Sequence, residues 1–456
     1  MNDEKEVGFR KELGVFSGIS IIGGIMIGSG IFYLGSYVLQ RCNMNYGYAL
    51  LVWIIGGVIS LFGGLCYAEL GVSIPRAGGA TVYLTEAYHP IVGFLRGFSD
   101  WLIGGPGSVA AMSLALLKAV NSFLKFYYPQ GLSDINLKII ASVIIIILTL
   151  YNLTGVKKGS FLQNISMVAK LIPIGMVLVL GLFMGKESPN LSLVTQTTQG
   201  MRIDEILSMI AFATVASLWA YEGWTNLNSM TEEIKNPKRD LPLAIILGIG
   251  GITVLYALFN YSIFKVLPYE RVVNEINSGE LYLGTLAAKE TMGAYGSIVV
   301  TLGMALAVFN GLNGLIMAQP RMYYAMAVEG HFFKSFAKLH PKYQVPTYPL
   351  IVQGIFSIIL VWTRELDQLT SLVVFTGMIF NVLVILAVPI MRIKQPNIKR
   401  DYKVFLYPVS VILTVIVFLG LVFNTFIEEP KNAILGFGVQ IIGVVLYYYF
   451  DKKIKK

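Results

Sequence analysis

The chain has 456 residues, of which 55% are hydrophobic and 13% are charged, and its formal net charge at pH 7 is +9. Soluble domains carry about 25% charged residues, so this composition excludes an ordinary soluble enzyme or binding domain. The two cysteines, Cys42 and Cys66, are too few for a disulfide framework. The three histidines have no partners at metal-ligand spacing, so we predict neither a metal site nor a cofactor.

Apolar runs near 20 residues recur along the whole chain, which is typical of helices that cross a membrane. The pattern predicts an all-α membrane protein with about twelve transmembrane helices. The predicted spans are, in chain order, 13–39, 46–70, 91–120, 138–154, 161–184, 204–230, 243–266, 291–325, 348–363, 369–391, 404–426 and 432–450.

The basic residues are distributed unevenly between the two predicted faces. With the N-terminus in the cytoplasm, 23 of the 35 lysines and arginines, Arg96 among them, lie on the inner face, as the positive-inside rule requires. Segment 1–12 and tail 451–456 are then cytoplasmic. A cytoplasmic rim facing anionic membrane lipid accounts for the positive charge, so no nucleic acid partner is predicted.

The first span contains the run Ile27-Gly28-Ser29-Gly30-Ile31-Phe32. Glycine weakens a helix interior and lets the backbone leave helical geometry. Irregular backbone at membrane depth survives where it is buried in protein or lines a watery cavity, so we predict a helix break with a ligand site. Gly14 and Gly18, and likewise Gly24 and Gly28, have the four-residue spacing that is typical of close helix packing, which is the structural alternative.

Two further spans contain residues that are unusual in a membrane. In span 3, the stretch from Gly104 to Ser108 predicts a kink or a close helix approach with a structural role. In span 5, Lys170 lies about 14 Å into the bilayer, counted from Phe161 at about 1.5 Å per residue. We predict that its ammonium faces the bundle interior and occupies the place of a metal cation; the alternative is a structural lysine bound by backbone carbonyls.

Span 6 contains Trp219-Ala220-Tyr221-Glu222-Gly223-Trp224, a second interruption five spans after the first. A repeat of five spans crosses the membrane an odd number of times, so its second copy has the opposite orientation. The two breaks would then face each other near the midplane. We therefore predict a transport core over 13–391 made of two inverted repeats, about 13–184 and 204–391, followed by two additional helices over 404–450.

The ends of broken helices predict the ligand. Free amides of Ser29, Gly30 and Ile31 would bind a carboxylate. Free carbonyls at Ile27, Trp219 and Ala220 would accept from an ammonium. A zwitterion of α-amino acid size satisfies both sets of groups.

Several side chains could complete the site. Glu222 would select cationic side chains or relay a proton if ionised, or would act as a protonated hydrogen-bonding group if buried. Trp219 and Tyr221 could line the pocket, although packing is the common role of aromatic residues in membrane helices. In span 8, Asn313 is a candidate polar wall. No phosphate-binding loop, nucleophile elbow or other catalytic motif is present, so we predict no catalytic residue and no enzyme.

The chain resembles the amino acid–polyamine–organocation superfamily, and within it the L-type amino acid exchangers and their bacterial serine/threonine exchanger relatives. The resemblance covers nearly the whole chain. The motifs that carry it are Ile27 to Phe32, Tyr67 to Leu70 with Pro75 to Gly79, Ala169 to Ile174, Ala220 to Trp224, and Glu232 to Pro242.

The resemblance implies a five-plus-five inverted repeat of the leucine-transporter type and alternating access, with an amino acid held by the breaks in spans 1 and 6. It implies that the carbonyl of Glu222 also takes the amine and that Trp219 forms a lid. Lys170 matches the family lysine that fills a sodium site of related symporters, which implies sodium-independent transport.

Two departures from the family pattern affect the prediction. Many members have glycine or aspartate where this chain has Glu222, so the choice between neutral and cationic substrates stays open. Animal exchangers use a cysteine between spans 3 and 4 to join a single-span glycoprotein, and the loop from Asn121 to Leu137 has none. We therefore expect no disulfide-linked heavy chain.

The leading hypothesis is a sodium-independent L-amino acid exchanger in the plasma membrane, with both termini cytoplasmic. Two alternatives stay open: a proton-coupled amino acid or polyamine symporter, and a membrane receptor that binds amino acids without moving them.

Overall fold

The structure is a computed structural model that describes residues 8–28, 30–124, 128, 130–279, 282–363, 366–428 and 430–454. This part of the chain is helical, and its only β-type pairing is an isolated bridge between Leu13 and Ile234. The helices are α1 Val15–Met26, α2 Gly30–Arg41, α3 Tyr46–Ser73, α4 Ala80–Ala87, α5 Pro90–Ser99, α6 Gly105–Leu124, α7 Asp134–Asn152, α8 Val156–Met184, α9 Ile203–Ala220, α10 Pro237–Val266, α11 Tyr269–Asn277, α12 Leu283–Met292, α13 Ala294–Ala318, α14 Pro320–Val328, α15 Thr347–Thr363, α16 Leu366–Lys394, α17 Val409–Glu428 and α18 Pro430–Ile454.

Two segments depart from α-helical geometry inside predicted spans. A π-helix, Asp100–Gly104, joins α5 to α6, and a 3₁₀-helix, Trp224–Glu233, follows α9. A further short 3₁₀-helix is Lys334–Ala337.

Membrane-crossing helices dominate the described residues. Eight helical segments are long and apolar enough to cross a bilayer, and the bent pair α1 and α2 makes a ninth. Helix α15 and the Val409–Phe423 part of α17 are apolar but shorter. The prediction of an all-helical multi-pass membrane protein is therefore confirmed, while the count of about twelve and the inverted repeat remain predictions.

Helix α1 lies inside the bundle, where it contacts α8, α10 and α13. Small residues allow this close approach: a Cβ on Gly18 would lie 2.6 Å from the Cβ of Ala244 on α10. Gly24 is equally closed, because a Cβ there would collide with the Gln163 side chain. These glycines have the packing role that the sequence offered as the alternative. Gly28 differs from both, since a Cβ there would meet no atom within 4 Å.

Candidate functional site

The first predicted break is present where the glycines predicted it. Helix α1 ends at Met26, Ile27 has non-helical dihedral angles (φ −81°, ψ 84°), and the Gly28 amide donates to the Met26 carbonyl at 3.0 Å. Helix α2 begins at Gly30, and its axis is bent by 57° from that of α1. Ser29, the predicted first carboxylate ligand, lies outside the described residues.

Lys170 on α8 is directed at the carbonyl end of α1. Its Nζ donates to the carbonyl oxygens of Gly23 at 2.7 Å, Gly24 at 3.1 Å and Ile27 at 3.0 Å, and its side chain is 0% exposed. An ammonium has three donors, so these three bonds satisfy it completely. The Ile27 carbonyl, predicted to take the substrate amine, is therefore already bound to a cation.

The second break follows α9. The helix ends at Ala220, Tyr221 leaves helical geometry (φ −93°, ψ 5°), and Gly223 has a positive φ of 122° before the 3₁₀-helix begins. A Cβ on Gly223 would collide with the side chain of Ile25 on α1. Glycine is required at position 223 for two reasons: the backbone has a positive φ, and the two broken spans are in close contact there.

A tyrosine of α10 connects the two breaks. The Tyr256 hydroxyl lies 2.9 Å from the carbonyl oxygen of Met26 and 3.0 Å from that of Ala220, the last helical residues before each break. Its side chain is fully buried. The sequence analysis did not single out Tyr256, because one hydroxyl in an apolar span does not indicate which helix ends it will reach.

A cavity of about 720 Å³ lies between the breaks. Both broken spans contribute to its wall, which includes Gly28, Gly30 and the whole stretch 218–226. Trp219 is 42% exposed, and Glu222 is also exposed. The wall continues along α2 as far as Arg41. The predicted residues that line the cavity are Gly28, Gly30, Trp219, Ala220, Tyr221 and Glu222.

Some predicted residues lie behind this wall. Ile27 and Ile31 are each 1% exposed and are not part of the cavity surface described by the structure. Tyr221 borders the cavity, but its hydroxyl donates to the Trp53 carbonyl at 2.8 Å, so the phenol is directed toward α3.

Asn313 also lies away from the described cavity wall. Its amide nitrogen donates to Gln163 Oε1 at 2.7 Å, and its Oδ1 accepts from Asn152 Nδ2 at 3.0 Å. These hydrogen bonds join α13 to α8 and α7. The residue packs helices together, so its predicted place as a polar wall of the pocket is not supported by the structure.

The residues before α1 pair through their backbone with the segment that follows the second break. The amides of Glu12 and Leu13 donate to the Glu233 carbonyl at 2.9 and 3.0 Å. The Glu233 carboxylate accepts from Arg321 on α14, with Nε to Oε1 at 2.7 Å and Nη2 to Oε2 at 3.0 Å, and both side chains are buried. The start of the chain is thereby attached to the segment that follows the second break.

Comparison with known proteins gives a consistent result. The family profile described as amino acid permease matches residues 13–447. The serine/threonine exchanger SteT of Bacillus subtilis (strain 168) is 30% identical over 450 residues, covering 98% of each chain. The b(0,+)-type amino acid transporter 1 of Mus musculus is 32% identical over 451 residues, covering 98% of this chain and 88% of that one. The human cystine/glutamate transporter is 29% identical over 463 residues, covering 99% and 88%.

Proposed function

The chain belongs to the amino acid permease family, and from that premise we propose that it exchanges L-amino acids across a membrane by alternating access. The observation that carries the proposal is the cavity shared by two broken spans, because non-helical backbone from both breaks lines one volume within the helix bundle. The relatives named as exchangers and transporters match this chain over nearly its whole length.

The substrate's carboxylate would bind at the start of α2. The first amides of a helix have no intrahelical acceptor and lie at the positive end of its dipole. Gly30, the first residue of α2, lines the cavity at this position. We assign the carboxylate to the Gly30 amide, together with the predicted amides of its sequence neighbours Ser29 and Ile31.

The substrate's amino group would bind at the end of α9. The Trp219 carbonyl accepts a long bond of 3.4 Å from the Glu222 amide, and a carbonyl oxygen accepts a second donor readily. The Ala220 carbonyl is already near the Tyr256 hydroxyl. We therefore assign the ammonium first to the Trp219 carbonyl, with the carbonyls of Ala220 and Glu222 beside it, and we place Ile27 last, because its carbonyl already faces the amino group of Lys170 and lies behind the cavity wall. Trp219 would cover the bound substrate.

Lys170 supports transport without sodium. Its ammonium occupies the position that a cation would need at the carbonyl end of α1, and its three donors are all used there. A fixed positive charge at that point leaves no coordination sphere for a metal ion. We infer that substrate binding does not require sodium and that Lys170 connects the first break to α8.

The arrangement in the cell follows the charge distribution. We propose that the protein lies in the plasma membrane with both termini in the cytoplasm. It would have about twelve spans: two inverted repeats over 13–184 and 204–391, and two further helices over 404–450. The end of the bundle near Leu13 would then be cytoplasmic, and the cavity, whose wall continues along α2 to Arg41, would extend toward the outside. Both cysteines are buried, so we propose no disulfide-linked heavy chain.

Counterflow in proteoliposomes tests the proposal. Purified protein is reconstituted with or without unlabelled amino acids inside, and uptake of labelled amino acids is measured in sodium-free buffer. Exchange predicts uptake only with internal substrate. Uptake into empty vesicles driven by a pH gradient would establish proton coupling instead, and binding without flux in any condition would establish a receptor.

A panel of competitors identifies the substrate. Unlabelled amino acids, ornithine and polyamines are added outside during the same exchange measurement. An inhibition pattern confined to α-amino acids supports the backbone-mediated recognition of a zwitterion. Inhibition by polyamines, which have no carboxylate, would contradict the role of the α2 amides.

A further inference from the structure

An ion pair from span 3 lies in the wall of the same cavity. Arg96 Nη2 lies 3.3 Å from Asp100 Oδ2, one helical turn further along, and both residues line the cavity. Their side chains are 11% and 10% exposed. The sequence analysis counted Arg96 in the cytoplasmic rim, and the structure places it in the cavity wall instead.

The backbone at this pair is distorted in a way that local sequence explains. The π-helix Asp100–Gly104 begins at the acidic residue, and the Gly105 amide donates to the Asp100 carbonyl across five residues. Pro106 has no amide hydrogen for the Leu102 carbonyl, so ordinary α-helical bonding is interrupted here. Such single π turns inside α-helices occur frequently at functional sites.

Asp100 does not satisfy the guanidinium of Arg96 by itself. Arg96 has five donors, and within the described part of the chain Nε and Nη1 are buried without a hydrogen-bond partner. Glu222 faces the same cavity from the second break. One guanidinium and two carboxylates, carried by different spans, thus line one cavity.

The other described cations around the cavity are held elsewhere. Arg41, at the far end of the wall, donates to the Phe212 carbonyl at 3.2 Å and lies over the Phe212 ring. Lys170 is bound to the carbonyls of α1, outside the described cavity wall. Among these described cations, Arg96 is therefore the one that shares the cavity wall with Glu222 and has donors to spare.

We propose that Arg96 is a specificity-determining residue that opposes Glu222 and makes the cavity favour uncharged over cationic amino acid side chains. This inference rests on the proposed amino acid transport. Without Arg96, the carboxylates of Asp100 and Glu222 would face the cavity together, and the ammonium or guanidinium of a substrate side chain would take its place. Asp100 is the positioning residue that holds the guanidinium in the wall.

The test is the ratio of lysine to leucine exchange, each measured as kcat/KM in sodium-free proteoliposomes. Arg96→Met keeps an unbranched stem of similar length to the aliphatic part of arginine and removes the charge, and it should raise the ratio about tenfold. Arg96→Lys is the matched control, which keeps the charge and should keep the ratio near that of the wild type. An unchanged or lower ratio in Arg96→Met overturns the proposal.

Two more variants separate charge selection from a structural role. Asp100→Asn frees Arg96 to act on Glu222, so the ratio should fall, which is the opposite sign from Arg96→Met. In a Glu222→Gln background, Arg96→Met should no longer raise the ratio by the full factor. If Asp100→Asn and Arg96→Met change the ratio in the same direction, the proposal is wrong.

The same data distinguish this inference from the proposed function. Wild-type protein that exchanges no amino acid contradicts the transport proposal and with it the inference. Wild-type exchange combined with a ratio that does not respond to Arg96→Met contradicts the inference alone. If Arg96→Met does not fold, the falling ratio expected of Asp100→Asn remains the deciding measurement.

Discussion

The ammonium of Lys170 lies 2.7 Å from the carbonyl oxygen of Gly23, so a residue of α8 binds the last turn of α1 directly. A buried cation in a membrane protein requires such partners, because an unpaired charge at that depth is costly. The bond places the amino group of Lys170 where the first broken span ends. The break and the lysine therefore form one arrangement, although Ile27 and Lys170 are 143 residues apart in the sequence.

Replacement of this lysine should stop transport without preventing insertion. Lys170→Ala removes the donors from three buried carbonyls, so the end of α1 loses its anchor. We expect exchange to fall at least about tenfold while membrane expression is retained. Exchange and surface biotinylation are measured on the same cells. Full exchange by Lys170→Ala would reduce the lysine to a dispensable packing residue.

Filling the first break should block the substrate. A Cβ on Gly28 would meet nothing within 4 Å, so the side chain of Gly28→Val would extend into the cavity. We expect KM to rise at least about tenfold with little change in Tm. Gly250→Val on α10 is the matched control, since a Cβ there also meets nothing and Gly250 is outside the described cavity wall. Equal KM values for the two variants would contradict the site.

The second break should be sensitive to a single methyl group. Gly223→Ala combines a positive φ of 122° with a collision against Ile25, so we expect it to destabilise the protein by about 2–5 kcal/mol. Gly279→Ala is the matched control, since it has a positive φ of 90° and open space around it, and it should cost about 1–2 kcal/mol. Thermal unfolding in detergent measures both. Similar Tm values would show that Ile25 does not contact the break closely.

The Tyr256 hydroxyl, which contacts both breaks, should matter more for exchange than the Tyr221 hydroxyl. Tyr256→Phe leaves the Met26 and Ala220 carbonyls without their shared donor. Tyr221→Phe removes a hydroxyl that donates to the Trp53 carbonyl on α3. Each variant should lose about 1–3 kcal/mol of stability, but only Tyr256→Phe should lose exchange of every substrate. Comparable exchange by both variants would show that coupling of the breaks does not depend on Tyr256.

The carboxylate of the second break should select by charge. Glu222→Gln keeps the shape of the side chain and removes its charge, so exchange of lysine and ornithine should fall more than exchange of neutral amino acids. A competition assay against a common labelled substrate measures the change for each competitor. An equal loss for cationic and neutral substrates would indicate that Glu222 acts through structure rather than through charge.

Local properties of the sequence were sufficient for part of this structure. The breaks lie at Gly28 and Gly223, because glycine weakens a helix wherever the rest of the fold places it. Lys170 could be predicted to face inward from its depth alone, since the cost of a charge in lipid does not depend on which partner satisfies it. The apolar spans were recognisable because the hydrophobicity of a membrane helix depends only on about 20 consecutive residues.

Only the packing of the helices decided which groups meet. The rotation of α10 brings Tyr256 to both breaks, the π turn before Pro106 sets Asp100 and Arg96 in the cavity wall, and Asn313 is turned away into contacts with Gln163. Periodicity along one helix gives its apolar face, but the distance between side chains of different helices depends on axial position and rotation, which no local pattern contains.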